Sequence, residues 1–573
     1  MWLLDFSPRS SFMSRLFLVF YFSWVGAIAG TRADLLELNF KEFKQIFLNK
    51  TIPTEAILQN IGSNVSFLIF QLHTHHLNAT VSFSKIPSQN NSGTGVDAGL
   101  LSILRPEQTV CTWYLQSTDG SPLLATAVTL PYGERDPIPG GCNLEFDLEI
   151  DPSIYLQYNL YETVIKFAPA NLGYARGASP PLCDVKTDQD TRWRLQYDVY
   201  QHFLPESDLR EIVLLSHLQN MSTAQLVKAN GVQLVSLASS DRSTVSFSSI
   251  PGQGVIYNVI VWDPLLNTSA AYIPIHTYAC SFNATMDNCF TLGRISTKIF
   301  FTVIAVAGLF ICFFGHKFLK TGFFFMGFVF VGFLFFVLIT RVFVLHYDIR
   351  LILTAVTGAA GGLLLVAYWW RYGCVILCML IVGLVLGFLI SSLVFFTPIG
   401  ELKVFHNDTV FWLTFTCIAM VVPLAFFACP RFLNILTCGI VGSYAVVLAI
   451  DSYLYTSLSY ITLNILKRAL NNNFSSAYTN VPFQVNDIII IIVWMVLVVS
   501  GITVQSYREK GQPPFPPNPY QMWRRERARR QTNILDPSHH IPPLRERLQN
   551  WLTEIQGFFQ KKQPSGERTP LLL

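Results

Sequence analysis

Three histidines in four residues, His73, His75 and His76, are the nearest approach to a metal-ligating cluster in this 573-residue chain. A zinc site needs three or four N, O or S donors converging on one ion. The flanking polar and apolar residues alternate as in a β-strand, which places His73 and His75 on one face and His76 on the other. The expectation is no metal. No G-x-S-x-G, H-E-x-x-H or P-loop pattern occurs, so neither nucleophile nor base can be placed, and neither an enzyme nor a cofactor is expected. What remains is the chemistry of a secreted surface. N-x-S/T sequons stand at Asn49, Asn64, Asn78, Asn90, Asn220, Asn267, Asn283, Asn407 and Asn473, a pattern that marks glycosylation in an exported chain. Five cysteines in the same half, Cys111, Cys142, Cys183, Cys280 and Cys289, face an oxidising lumen and are expected to pair. Their placement predicts Cys111–Cys142 and Cys280–Cys289. Cys183 is then odd, either free or bridging two chains.

The elements that carry these residues begin with an apolar run, Leu16 to Ile28, behind Arg9 and Arg15 and closing on Ala27-Ile28-Ala29. Residues 1–29 read as a cleaved signal peptide. Windows of about 20 apolar residues then predict seven spans, at 297–315, 323–340, 351–370, 373–396, 411–429, 433–452 and 487–506. Composition agrees, with 51% hydrophobic residues, 46 Phe and only 13% charge. An exterior N-terminus and seven crossings put Asn407 and Asn473 outside, independently of hydropathy. Loop charges decide nothing: Lys317, Lys320, Arg371 and Arg431 inside face Arg341, Arg350, Lys403, Lys467 and Arg468 outside. The tail from residue 507 carries twice as many basic as acidic residues, which places it in the cytosol. Asp451 is the ionisable group singled out within the spans, near the outer end of its helix. Gly358-x-x-x-Gly362 and Gly383-x-x-x-Gly387 let neighbouring helices approach closely.

Ahead of the spans, TVSFSKIP from Thr80 to Pro87 recurs as TVSFSSIP from Thr244 to Pro251. Duplication explains this better than chance. Period-two alternation, as in Leu144, Phe146, Leu148, Ile150 and in Trp193, Leu195, Tyr197, Val199, predicts strands. The fold class is therefore a polytopic membrane protein: a seven-helix transmembrane bundle after a large, mostly β ectodomain of two tandem β-sandwich-like repeats. The domains expected are 30–180 and 181–296, divided near the Pro-rich run before Cys183, then the bundle at 297–506 and a cytosolic tail at 507–573.

The tail holds Pro513-Pro-Phe-Pro-Pro-Asn-Pro519, a stiff polyproline II spacer or a ligand for an aromatic groove. The basic run from Trp523 to Arg530 resembles a nuclear import signal in composition. In a seven-span chain its expected partner is anionic membrane lipid, not nucleic acid. Leu544, Leu548, Trp551, Leu552, Ile555, Phe558 and Phe559 recur at helical spacing as an amphipathic surface helix. The chain ends ERTPLLL, in which Glu567 stands four residues before Leu571 and Leu572. That resembles a dileucine sorting signal read by clathrin adaptors, and implies cycling between the cell membrane and endolysosomes.

The paired TVSFSxIP segments, the glycosylated ectodomain, the seven spans and the ERTPLLL ending together resemble the transmembrane 7 superfamily member 3 family. The bundle, with GAAGG in its third span, is also similar to the transmembrane protein 198 family. The resemblance implies a seven-pass protein of the cell surface that promotes cell survival and protein homeostasis. It implies attenuation of endoplasmic-reticulum stress and the unfolded protein response, protection of pancreatic β cells from cytokines, and support of insulin secretion. A protein partner of the ectodomain fits that role. Two other classes compete. A G-protein-coupled receptor would share the topology, but Trp369-Trp-Arg-Tyr372 lacks an acidic residue before Arg371, and the seventh span has no Asn-Pro-x-x-Tyr. A channel or transporter would share the Gly-rich bundle, yet the spans offer little charge.

Overall fold

The computed structural model describes residues 35–48, 52–118, 122–185, 191–284, 287–511, 515–517 and 519–532, with 545 and 548–553 beyond them. The signal peptide, Asn49, Glu567, Leu571 and Leu572 lie outside the described residues, as does most of the 544–559 helix.

Alternating apolar residues build the first β unit from nine strands: β1 (Leu35–Leu38), β2 (Lys44–Leu48), β3 (Thr54–Leu58), β4 (Phe67–His73), β5 (Ala79–Ser82), β6 (Ser92–Gly95), β7 (Asp97–Ile103), β8 (Cys111–Ser117) and β9 (Leu123–Tyr132). They form two sheets, in the orders β1-β3-β8-β5-β6 and β2-β9-β4-β7. Inward-facing Trp113 is fully buried against Phe70, with ring centroids 4.9 Å apart. Its indole N–H donates to Ser102 Oγ at 3.2 Å, so the polar end of the ring is satisfied inside the core.

The second unit has eight strands: β10 (Ile154–Tyr158), β11 (Glu162–Phe167), β12 (Gln196–Phe203), β13 (Val232–Ala238), β14 (Thr244–Ser248), β15 (Val255–Asp263), β16 (Thr268–Ala271) and β17 (Ile275–Thr277). Its sheets run β10-β11-β14 and β13-β12-β15-β16, with β17 also on β15. Phe167, Tyr197, Phe247, Tyr257 and Tyr272 fill the space between them. The Tyr272 hydroxyl donates to the Ala168 carbonyl at 2.6 Å.

Three expectations change here. The division between the units falls between the end of β9 at Tyr132 and the start of β10 at Ile154, and not near 180, because β10 and β11 pair with β14 and so belong to the second unit. The Pro-rich run is a loop inside that unit. The disulfide is Cys142–Cys183, with Cα atoms 5.7 Å apart, not Cys111–Cys142. Cys111 opens β8 opposite Leu58 in the first unit's core and forms no disulfide, and burial pushes its thiol's pKa up. Residues 144–150 form no strand, since the Asn143 side chain accepts from the Glu145 and Phe146 backbones at 3.0 Å and bends the chain. The Cys280–Cys289 bond is present and closes a short loop.

The Cys142–Cys183 bond joins residues 41 apart in sequence. Cys142→Ser in the full chain is expected to cost about 2–4 kcal/mol, read as a lower melting temperature and poor maturation of glycans. Cys111→Ser should leave both near wild type.

Among the described residues seven helices are long and apolar enough to cross a membrane: Ile295–Phe314, Leu319–Val342, Tyr347–Tyr372, Val375–Phe396, Asp408–Ala425, Pro430–Leu454 and Val485–Arg508. The first packs chiefly on the sixth, the second on the third and the fourth on the fifth. Small residues permit this. A Cβ on Gly442 of the sixth span would stand 2.6 Å from the Gly308 carbonyl oxygen of the first. The glycines anticipated in the third and fourth spans serve the same end, Gly362 against Phe324 and Gly387 against Ala419.

Candidate functional site at the junction of ectodomain and bundle

The connection between the sixth and seventh spans is structured throughout. A helix at Tyr460–Leu470 buries Tyr460, Ile461, Asn464, Ile465 and Lys467, positions that fall on one face at helical spacing. Two of these five are polar. Both meet β14, the second copy of the repeated octapeptide.

Lys467 is only 4% exposed. Its ammonium donates to Ser248 Oγ at 3.0 Å and to the Ser249 carbonyl at 2.6 Å. Ser248 Oγ in turn donates its own proton to Asn464 Oδ1 at 3.1 Å. The Tyr460 and Phe474 rings lie 5.0 and 5.9 Å from the ammonium. Burial holds the lysine down at about 7, within reach of neutral pH.

Beyond the helix, Tyr478 adds to the free edge of β14. Its N–H donates to the Ser246 carbonyl at 2.9 Å, and its carbonyl accepts from Ser248 N–H at 2.8 Å. The equivalent strand of the first unit, β5, has β6 on one edge and β8 on the other. The second unit therefore borrows an edge partner from the bundle's own connection, a form of strand addition. Asn471 Nδ2 donates to Glu162 Oε1 at 3.2 Å beside it.

The seventh span makes the next contacts. Gln484 accepts from the Glu206 N–H at 2.7 Å and donates to the Leu204 carbonyl at 2.9 Å. Asn486 donates to the Glu206 carboxylate. Gln484 and Asp487 form a capping box on this helix. Asp487 is fully buried and also accepts from Ser457 N–H at 2.6 Å. Burial and then the Asp487 charge push Glu206 up from its ordinary value. Asp451 is buried as well, at the end of the sixth span, and accepts from Thr456 Oγ1. Sequence reasoning found Asp451 but missed Asp487 and Lys467. The signals were there: Gln three residues before Asp at a helix start, and apolar residues at helical spacing from Tyr460.

A cavity of about 30 Å³ between Glu401, His406, Arg468 and Tyr478 is the size of one water. Arg468, close by, is taken up by Asp408 at 2.9 Å and by the face of Phe411. Among the described residues no group of three or more His, Cys, Asp or Glu could hold a metal ion. His73, His75 and His76 lie far from this junction in sequence, where the two β units meet. Strand β4 stops at His73, so the expected alternation does not extend to the other two. Eight sequons, Asn64, Asn78, Asn90, Asn220, Asn267, Asn283, Asn407 and Asn473, are exposed.

Two β-sandwich units, the second of them docked on seven apolar helices, define a multi-pass membrane protein with an immunoglobulin-like ectodomain. Three family models cover it: "TM7SF3-like, N-terminal immunoglobulin-like domain" over residues 34–132, "TM7SF3-like, second immunoglobulin-like domain" over 137–283 and "TM7S3/TM198-like domain" over 301–506. Transmembrane 7 superfamily member 3 of Homo sapiens is 64% identical over 94% of this chain and 95% of its own length. The proteins of the same description from Rattus norvegicus and Mus musculus are 63% and 62% identical, each over 96% of this chain and 97% of their own lengths. The chain belongs to the transmembrane 7 superfamily member 3 family. Solved structures of a β-1,2-glucanase from Parabacteroides distasonis and a Bacteroides uniformis β-glucuronidase align at 9% identity with TM-scores of 0.13 and 0.17, covering 51% and 41% of this chain and 42% and 26% of their own.

Proposed function

We propose that the chain is a non-enzymatic seven-pass protein of the cell membrane that supports cell survival and protein homeostasis. Its ectodomain engages a protein partner, and the junction passes that event to the bundle. The specific roles are attenuation of endoplasmic-reticulum stress and the unfolded protein response, protection of pancreatic β cells from cytokine-induced death, and support of insulin secretion. The observation that carries the reading is the docking of β14 and the 204–206 loop on the 453–487 segment, through Lys467, Tyr478 and Gln484. Such an interface suits transmission between modules and offers no reacting atom. In insulin-secreting cells lacking their own copy, expression of this chain should lower an unfolded-protein-response reporter under tunicamycin at least twofold. Equal reporter activity with and without the chain would sink the proposal.

In this reading the N-terminus is outside, the tail is cytosolic, and the Glu567, Leu571, Leu572 signal engages a clathrin adaptor for endolysosomal cycling. A double Leu571→Ala, Leu572→Ala variant serves in the same cells as the trafficking control. The tail helix at Pro519–Thr532 supports a lipid contact. Its Tyr520 packs under Arg371 at 4.0 Å and against Trp370 at 5.5 Å, at the inner end of the third span, which leaves the exposed Arg524, Arg525 and Arg527 at headgroup level. Replacing those three with Gln should weaken phosphatidylserine binding by the full chain about tenfold or more, at about 1 kcal/mol per residue. Unchanged binding refutes the contact.

A receptor is the second reading, favoured by the direct grip of the 204–206 loop on the first turn of the seventh span. Stimulated GTP exchange on a heterotrimeric G protein by purified protein would put it first.

A further inference from the structure

The two β units meet at a buried set of histidines that the proposed function leaves unused. Asp97, at the start of β7, lies opposite His73 at the end of β4. One carboxylate oxygen is 2.7 Å from His73 Nδ1. The other is 2.6 Å from His276 Nδ1, in β17 of the second unit, and accepts from the His276 backbone N–H at 2.8 Å. His276 Nε2 stands 2.9 Å from the His75 carbonyl oxygen. A carbonyl only accepts, so Nε2 carries a proton; the carboxylate only accepts, so Nδ1 carries one too. His276 is thus an imidazolium paired with Asp97 across the boundary between units.

Beside this fixed pair lies a second one of the opposite kind. His75 Nδ1 and His76 Nδ1 are 3.0 Å apart, a contact that requires one ring to donate and the other to accept. Both rings pack on Phe282, at 4.8 and 5.0 Å, inside the loop closed by Cys280–Cys289. His75 also meets Tyr278 edge-on at 5.9 Å. Leu209 and Glu211 of the second unit face His75 and His76, and their segment runs back to Leu204 and Glu206, which Gln484 of the seventh span holds.

We propose that this junction is an acid-sensitive coupling, in which protonation of His75 frees residues 74–78 from the second unit and loosens the 204–211 segment on the seventh span. The inference goes beyond the survival role and does not depend on it. A second proton on His75 leaves its Nδ1 able only to donate, so that His76 can no longer be the donor of their contact, and sets a cation among aromatic rings beside the charged His276.

Burial, then the His76 and His276 rings, hold His75 down at about 4, against a weaker pull from Leu209. A base held below its ordinary value of about 6.5 binds fewer protons docked than released. The docked form therefore loses stability as pH falls from about 6.5 towards 4. His217, held down by burial and by His202 at 2.8 Å, acts in the same direction. Glu206 and Glu211, both pushed up by burial, act in the opposite one. Asp208, held down by its Arg210 partner, stays charged in this window. So does Asp97: burial raises it, but the His276 charge and the hydrogen bonds from His276 and His73 hold it at about 2, while His276 itself is raised. The Asp97–His276 pair then persists as a pivot.

The test is hydrogen exchange of the full chain in phosphatidylcholine nanodiscs at pH 7.4 and 5.0, corrected for intrinsic rates. Peptides covering 74–78, 204–217 and 482–488 should lose protection about fivefold or more at pH 5.0, with β4 and β9 unchanged. His75→Gln should abolish that loss, and the exposed His76→Asn, the milder change, should reduce it. Equal protection at the two pH values overturns the proposal. So does a loss confined to 74–78, or one that persists in both variants.

Discussion

Lys467→Ala is expected to release the second β unit from the bundle without unfolding either. The substitution leaves a cavity between Tyr460 and Phe474 and strips the Ser249 carbonyl and Ser248 Oγ of a charged donor. Losing such a donor and leaving a void costs about 3 kcal/mol at the junction. Limited proteolysis should cut within 204–211 at least tenfold faster, while melting of the isolated spans and β units shifts little. A cleavage rate equal to wild type would show that the lysine does not hold the interface. Lys467→Met separates charge from volume. Because burial holds Lys467 at about 7, well below its ordinary value of 10.5, the docked form binds fewer protons than the released form between those values. Docking should therefore strengthen as pH rises from 7 to 9, by on the order of 2 kcal/mol. The methionine variant should lose that dependence and stay docked near neutral pH, since replacing a buried charge by an apolar side chain of similar volume is often neutral.

Gly442→Leu carries the other large effect. The leucine side chain must occupy space taken by the Gly308 carbonyl and the Cys312 backbone of the first span. Separating two helices packed by dispersion removes many contacts at once, and overpacking of this kind costs about 3 kcal/mol or more. The expected result is loss of monodisperse protein in detergent and retention before glycan maturation. Gly511→Leu, where a Cβ meets nothing within 4 Å, is a control for membrane insertion, although its φ of +84° carries a small strain of its own. Wild-type yield from Gly442→Leu would mean that the first and sixth spans do not meet as described.

The spans were legible because each is a single long apolar run, and hydropathy needs no knowledge of neighbours. The doubled β architecture was legible for a different reason, the repeated octapeptide that became β5 and β14. Cysteine pairing was not, because which Sγ atoms approach depends on chain reversals far from the cysteines: Cys183 reaches Cys142 only after the loop between β11 and β12 folds back. Lys467 and Arg468 were weighed as free charges in an outer loop. Lys467 is enclosed, and Arg468 is paired with Asp408, which explains why loop charges failed to report orientation. Asp487, the first residue of the expected 487–506 span, was passed over as the polar end of an apolar run.

The borrowed edge of β14 has a consequence for biosynthesis. If the ectodomain is lumenal, as proposed, a chain emerging N-terminus first has its second β unit in the lumen long before Tyr478 is translated, and six spans must be made in between. Until then β14 offers unpaired N–H and C=O groups to any passing strand. Chaperones of the endoplasmic reticulum would find a client during that interval, and a chain truncated after the fifth span would never cease to be one. Completion of the membrane domain is thus reported in the ectodomain by the closing of a single sheet edge.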